Sequence, residues 1–139
     1  DWLNQKLNRT EFMPFAPSCT FEAAPDYFIG WKPEHKCAEF MTITYDIHEG
    51  MAAKIPAVVH VDNTARPQVV RKDINPSYHH IIERFGELSG VPIVLNTSFN
   101  MHEEPIVYTP SDAIRGFLDG KLDVLALGPF IVHHPDPKG

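Results

Sequence analysis

Residues 91–95 read Val-Pro-Ile-Val-Leu, and the next five are Asn-Thr-Ser-Phe-Asn. The first run is apolar and rich in β-branched side chains, which suits a central strand better than a short helix. Asn96, Thr97, Ser98 and Asn100 then set amides and hydroxyls where that strand ends. In open α/β sheets, ligands bind at the carboxyl ends of strands, where loop amides and helix N-termini converge. The same residue types also cap ordinary turns. The segment therefore predicts a buried strand, and a ligand site only if other residues converge on it.

Around this strand the chain alternates helical and extended signals. Asn75-Pro76 opens the strongest helix, over 76–88, with Asn75 as N-cap and Pro76 in the first turn. Tyr78, Ile81, Ile82, Phe85 and Leu88 repeat there at helical spacing, and Gly90 is the stop. A second helix runs over 110–118 with Thr109 as cap and Ala113, Ile114, Phe117 and Leu118 directed inward, ending at Gly120. Residues 40–47 alternate as a strand, and 58–61 pairs with 67–70 around a turn at 62–65. Residues 122–127 and 130–132 are apolar strands split by Gly128-Pro129. Residues 22–27 hold a short helical turn, and 9–17 form a stiff, proline-containing extended segment. Asp1 caps a helix with Trp2, Leu3 and Leu7 on one face, an abrupt start that suggests a piece of a longer polypeptide. The fold class is α/β, a mixed twisted sheet with flanking helices, its core contiguous from the periodic faces of 76–88 and 110–118.

Composition narrows the functions. The 139 residues are 43% hydrophobic and 22% charged, values of a globular domain large enough for a core. A net charge of −6 argues against an extended nucleic-acid footprint while permitting a local basic pocket. No apolar run reaches the length of a membrane span and no leader pattern opens the residues given, so no membrane partner is expected. Cys19 and Cys37 lack metal-ligand spacing and read as free thiols of a cytoplasmic protein. Eight histidines form no His-x-x-x-His pair, and adjacent His79 and His80 point about 100° apart on a helix. They are packing or solvated side chains rather than a metal site. Neither a phosphate-binding glycine loop nor a Gly-x-Ser-x-Gly elbow is present.

Two arginines sit where a solvated surface residue has little reason to be. Arg66 lies beside Thr64 and ahead of Pro67, and Arg9 precedes the rigid segment. A guanidinium in such a place either clamps a phosphate or carboxylate through two parallel hydrogen bonds or is simply solvated at a strand edge. Ser98 has no base beside it in sequence, so its hydroxyl is assigned to hydrogen bonding rather than nucleophilic attack.

Five segments, in order, resemble one family. They are Arg-Thr-Glu-Phe-Met-Pro-Phe-Ala-Pro (9–17), Val-Asp-Asn-Thr-Ala-Arg-Pro-Gln (61–68) and Asn-Pro-Ser-Tyr-His-His-Ile-Ile (75–82), then Gly-Val-Pro-Ile-Val-Leu-Asn-Thr-Ser-Phe-Asn (90–100) and Glu-Pro-Ile-Val-Tyr-Thr-Pro-Ser-Asp-Ala (104–113). Over residues 3–132 the chain is similar to the C-terminal domain of the O-carbamoyltransferases of nodulation-factor, aminoglycoside and cephamycin carbamoylation. The resemblance implies a domain like the threonylcarbamoyl-adenylate synthase fold, forming carbamoyl-adenylate from carbamoyl phosphate and ATP, with Mg²⁺. It implies a partner in the same polypeptide, an actin-like N-terminal domain that holds its own metal, not bound by this chain, and transfers the carbamoyl group to a hydroxyl. By the same resemblance, Arg66 and Ser98 contact the phosphate-bearing ligand. Arg9, Asn96 and Asn100 complete the substrate-binding set. The chain departs from the family pattern at Met13, where arginine is frequent, and at Glu103, where glycine is frequent. The family's arginine-rich segment expected ahead of Asp1 is not among these residues. The alternative reading is a non-catalytic module that docks on the catalytic domain, and an exposed docking surface of either kind invites a homodimer.

Overall fold

The computed structural model describes residues 14–136, which divide into two compact units, residues 14–97 and 98–136. The expected helix at Asp1, as well as Arg9 and Met13, lies outside the described residues.

The larger unit contains β1 (Ala16–Thr20), α1 (Ala24–Tyr27), β2 (Tyr45–Asp46), β3 (Thr64–Ala65), β4 (Gln68–Val70), α2 (Pro76–Ser89) and β5 (Ile93–Asn96). Its main sheet has the order β4-β1-β5, with β1 parallel to β4 and antiparallel to β5. The sheet is therefore mixed, as expected. All five residues of β1 are buried. Proline is normally kept off central strands because it lacks an N–H. Pro17 pairs with Leu95 of β5, but the β4 ladder begins one residue later at Ser18↔Gln68, so the proline sits where the strand is flanked on one side only.

Two strand expectations are corrected. Of residues 40–47 only Tyr45–Asp46 is extended. A 3-10 turn occupies Lys36–Glu39, Met41 takes a φ of +55°, and the Thr42 hydroxyl and N–H both donate to Cys37 O, which bends the chain before it can alternate. Residues 58–61 do not pair with 67–70 either. Pro56–Val58 is a 3-10 turn, and His60 N–H bonds Thr64 O across a tight turn in which Asn63 has a φ of +63°. Asparagine tolerates that conformation better than most residues. β3 then pairs with β2, while β4 crosses to β1.

The helix after Asn75 forms as the caps dictate. Asn75 Oδ1 accepts from Tyr78 N–H at 3.2 Å, Pro76 occupies the first turn, and Gly90 closes the helix at φ +77°. Its buried face is not the one expected. His79 and Ile82 are buried, whereas Ile81 and Leu88 are 60% and 74% exposed. Gly86 sets this rotation: a Cβ there would meet Pro92 Cβ at 2.8 Å, so the glycine lets the helix lie against the lead into β5.

The smaller unit holds α3 (Pro110–Asp119), β6 (Val124–Leu127) and β7 (Phe130–His133). Thr109 and Asp112 form a reciprocal capping box at the start of α3. β6 and β7 make an antiparallel hairpin through Gly128-Pro129, with Gly128 at φ +58°. Ala113 and Phe117 face inward onto Leu125, but Ile114 and Leu118 are 47% and 44% exposed, against expectation. In place of one contiguous core, each unit has its own buried cluster. Both cysteines are free thiols, Cys19 buried with its pKa raised by that burial and Cys37 exposed. Among the described residues no helix is long and apolar enough to cross a membrane.

Candidate functional site

Arg66 follows directly on β3, between two buried residues, Ala65 and Pro67. Alternation along the strand sends Ala65 inward and leaves Arg66 exposed. The other described arginines are engaged. Arg71 holds Asp73 in two hydrogen bonds of 3.0 and 2.7 Å, Arg84 pairs with Glu87, and Arg115 pairs with Glu104 at 2.7 Å. Arg66, unlike the other described arginines, has no acidic partner among the described residues. Its five N–H donors are consequently available to an anion from solution.

Beside it the three strands of the main sheet are joined by a side-chain network. Gln68 Oε1 on β4 accepts from Ser18 Oγ on β1 and from Asn96 Nδ2 on β5, each at 2.8 Å. Ser18 is fully buried, so its hydroxyl requires such a partner. Asn96 Nδ2 thus gives one hydrogen to Gln68 and directs the other at Met41 Sδ, 3.6 Å away, while Gln68 Nε2 takes no part in these bonds. Asn96 therefore offers a carbonyl oxygen, and Gln68 an amide donor, to anything that approaches. A pocket of about 210 Å³ opens next to Gln68, walled by Phe40, Val70, Ile74, Asn75 and Tyr78.

The remaining sequence candidates are placed as follows. Ser98 and Asn100 belong to the smaller unit, across the boundary after Thr97. Ser98 is exposed. Asn100 Nδ2 donates to Met101 O and Glu104 O at 3.0 and 2.9 Å, bracing the loop that leads to α3. In that loop Glu103 has a φ of +65°, the left-handed region that favours glycine, at the position where the family pattern has glycine. Of the histidines, His79 packs as expected, with Nε2 2.7 Å from Glu22 Oε2. Burial works against the Glu22 carboxylate, yet the hydrogen bond and charge of His79 outweigh it and hold its pKa below the ordinary value. Among the described residues no three His, Cys, Asp or Glu side chains are placed to hold a metal ion.

Sequence reasoning passed over one cluster. His60 Nδ1 lies 3.0 Å from Thr64 Oγ1, and Thr64 Oγ1 donates to Asp62 Oδ1 at 2.8 Å. The side-chain and backbone donors of Thr64 hold the Asp62 pKa below the usual carboxylate range. All three residues lie in the seven-residue stretch that ends at Arg66. The signal was their polarity, but their adjacency depends on a turn at Asn63 that was misplaced by sequence alone.

The described residues thus make a mixed α/β fold in which Arg66 is exposed and has no acidic partner among them. Residues 1–134 match the family model described as carbamoyltransferase C-terminus, and the chain belongs to that family. It is 42% identical over 130 residues to an uncharacterised protein of Methanocaldococcus jannaschii, covering 94% of this chain and 25% of that relative. Nodulation protein NolO of Bradyrhizobium diazoefficiens is 41% identical over 133 residues, covering 95% of this chain and 24% of its own length. Nodulation protein NolNO of Sinorhizobium fredii is 38% identical over 133 residues, with 95% and 19% covered. The chain thus spans a quarter or less of these relatives.

Proposed function

We propose that this chain serves the activation step of an ATP-dependent O-carbamoyltransferase. It forms carbamoyl-adenylate from carbamoyl phosphate and ATP, for transfer to a hydroxyl acceptor by an N-terminal domain of the same polypeptide. Membership of the carbamoyltransferase C-terminus family supports the reaction class, and the small share of each relative that is matched supports a further domain. The observation that carries the reading is Arg66, an exposed guanidinium between buried neighbours in sequence with no acidic partner among the described residues. In a domain of net charge −6, such a residue supplies local attraction for an anion that the rest of the surface repels.

In the reaction, water cleaves carbamoyl phosphate to carbamate and inorganic phosphate. A carbamate oxygen then attacks the α-phosphorus of ATP, and the bond to pyrophosphate breaks. No side chain forms a covalent bond. Arg66 stabilises the charge on the phosphoryl oxygens, and Asn96 shapes the end of β5. Mg²⁺, where bound, would supply further neutralisation of charge on the triphosphate.

The test is titration calorimetry of carbamoyl phosphate and of ATP against the chain and its Arg66→Ala variant. Loss of a charge-assisted partner is expected to weaken carbamoyl phosphate at least tenfold, from a few kcal/mol at most. Equal affinities remove Arg66 from the site. The rival docking-module reading is favoured by the exposed apolar stripe of α2, with Ile81, Phe85 and Leu88 at 60%, 44% and 74% exposure. A folded chain that binds neither ligand would establish that rival.

A further inference from the structure

His60 carries one deduction further. The ionised Asp62 carboxylate only accepts hydrogen bonds, so the single proton of the Thr64 hydroxyl goes to it, as the 2.8 Å contact shows. The oxygen of Thr64 is then an acceptor toward His60, and the nitrogen 3.0 Å away, Nδ1, must be the donor. When the ring is neutral, this contact selects its Nδ1–H tautomer and leaves the lone pair on Nε2. Nε2 has no partner among the described residues and is not a buried orphan, so it faces solvent.

The direction it faces follows from β3. β3 ends at Ala65, but exposure goes on alternating beyond it: Ala65 and Pro67 are buried while Thr64 and Arg66 are not, which sets those two on the side away from the core. The His60 ring is bonded to Thr64, and Arg66 stands two residues further on, just past the end of β3. One face therefore presents a hydrogen-bond acceptor next to an unpaired cation. That pairing matches a small ligand with an N–H donor at one end and an anion at the other.

We infer that His60 selects the carbamoyl group, its Nε2 accepting a hydrogen bond from the carbamoyl NH₂ of a ligand whose phosphate Arg66 holds. Thr64 and Asp62 are positioning residues that set the tautomer. The inference rests on the anion-binding reading of Arg66 for the place of the phosphate. It predicts discrimination against acetyl phosphate, in which a methyl group replaces the NH₂ and leaves the acceptor unsatisfied. Sites built to hydrogen-bond a substrate N–H reject the analogue lacking it far more strongly than apolar pockets do.

The experiment measures carbamoyl phosphate and acetyl phosphate binding to the chain and to His60→Leu, Thr64→Val and Arg66→Ala. The unaltered chain is expected to favour carbamoyl phosphate by about tenfold or more. His60→Leu should bind both ligands alike, near the affinity for acetyl phosphate, and Thr64→Val should fall between. Side-chain ¹⁵N shifts of His60 should show a protonated Nδ1, and Thr64→Val should abolish that preference. No discrimination in the unaltered chain, discrimination retained in His60→Leu, or an Nε2–H ring would each overturn the inference. Arg66→Ala reads the other assignment separately: unchanged affinity for both ligands defeats the anion site, while a preference that His60→Leu removes still upholds His60.

Discussion

The two compact units reach their shapes by different means. In residues 14–97, Tyr27, Phe28, Trp31, Tyr45 and Ile47 close on one another and on Cys19, Val69 and Ile93 from strands far apart in sequence. In residues 98–136 the buried cluster is Ala113, Phe117 and Leu125, with Phe99, Val107, Leu122 and Leu127 partly buried against it. There the order comes from local devices: the Thr109–Asp112 capping box, the Asn100 brace and the hairpin turn at Gly128. Non-local burial makes a cooperative unit, whereas a sparse core supported by caps and turns opens at lower free energy. The arginine of the candidate site belongs to the first kind of structure and Ser98 to the second.

The largest test of this difference is in the cores. Phe28→Ala, at a side chain 1% exposed, is expected to cost about 3–5 kcal/mol and to shift the urea midpoint of residues 14–97. Phe117→Ala, at 2% exposure, is expected to strip amide-exchange protection from α3 and β6 while residues 14–97 keep theirs. Equal loss of protection in both units from either variant would break the distinction. A smaller effect of opposite sign is expected at Glu103. Glu103→Gly relieves the left-handed φ of +65° and should stabilise by about 1 kcal/mol, read by thermal unfolding. An unchanged or lower Tm would show that this loop carries no strain.

The smallest effect concerns pH in the larger unit. The Glu22 carboxyl, with an ordinary value of 4.5, is lowered in the folded protein against the opposing effect of burial, by its bond to His79. Its contribution is therefore present above pH 4.5 and is lost as pH falls through the lower folded value. Glu22→Gln should lower stability slightly at neutral pH, converge with the unaltered protein in acid and so flatten the acid limb of the stability curve. An unchanged acid limb would assign acid sensitivity to other carboxylates.

What was readable without the fold was local. Asn75, Pro76 and Gly90 delimit α2 because caps act through neighbouring N–H and C=O groups, and Thr109 delimits α3 in the same way. Gly128 likewise marks the hairpin of β6 and β7. Arg66 was visible as a cation in an unexpected place, though its lack of an acidic partner was not. Periodicity showed that α2 has an apolar face but could not say which residues the sheet would cover. The close approach of Gly86 to Pro92 decided that, burying His79 and exposing Ile81.

The sequence by itself determined the helices, their ends, the mixed α/β class and the family. Each depends on interactions a few residues long or on a motif that survives intact. The tertiary structure alone decided that β4 pairs with β1 in parallel rather than with residues 58–61, because Ser18 and Gln68 lie fifty residues apart and parallel pairing leaves no local signature. It alone also joined Ser18, Gln68 and Asn96 across three strands and set His60 on Thr64. Donors and acceptors find one another only after the backbone has turned, and the tautomer of His60 follows from that geometry.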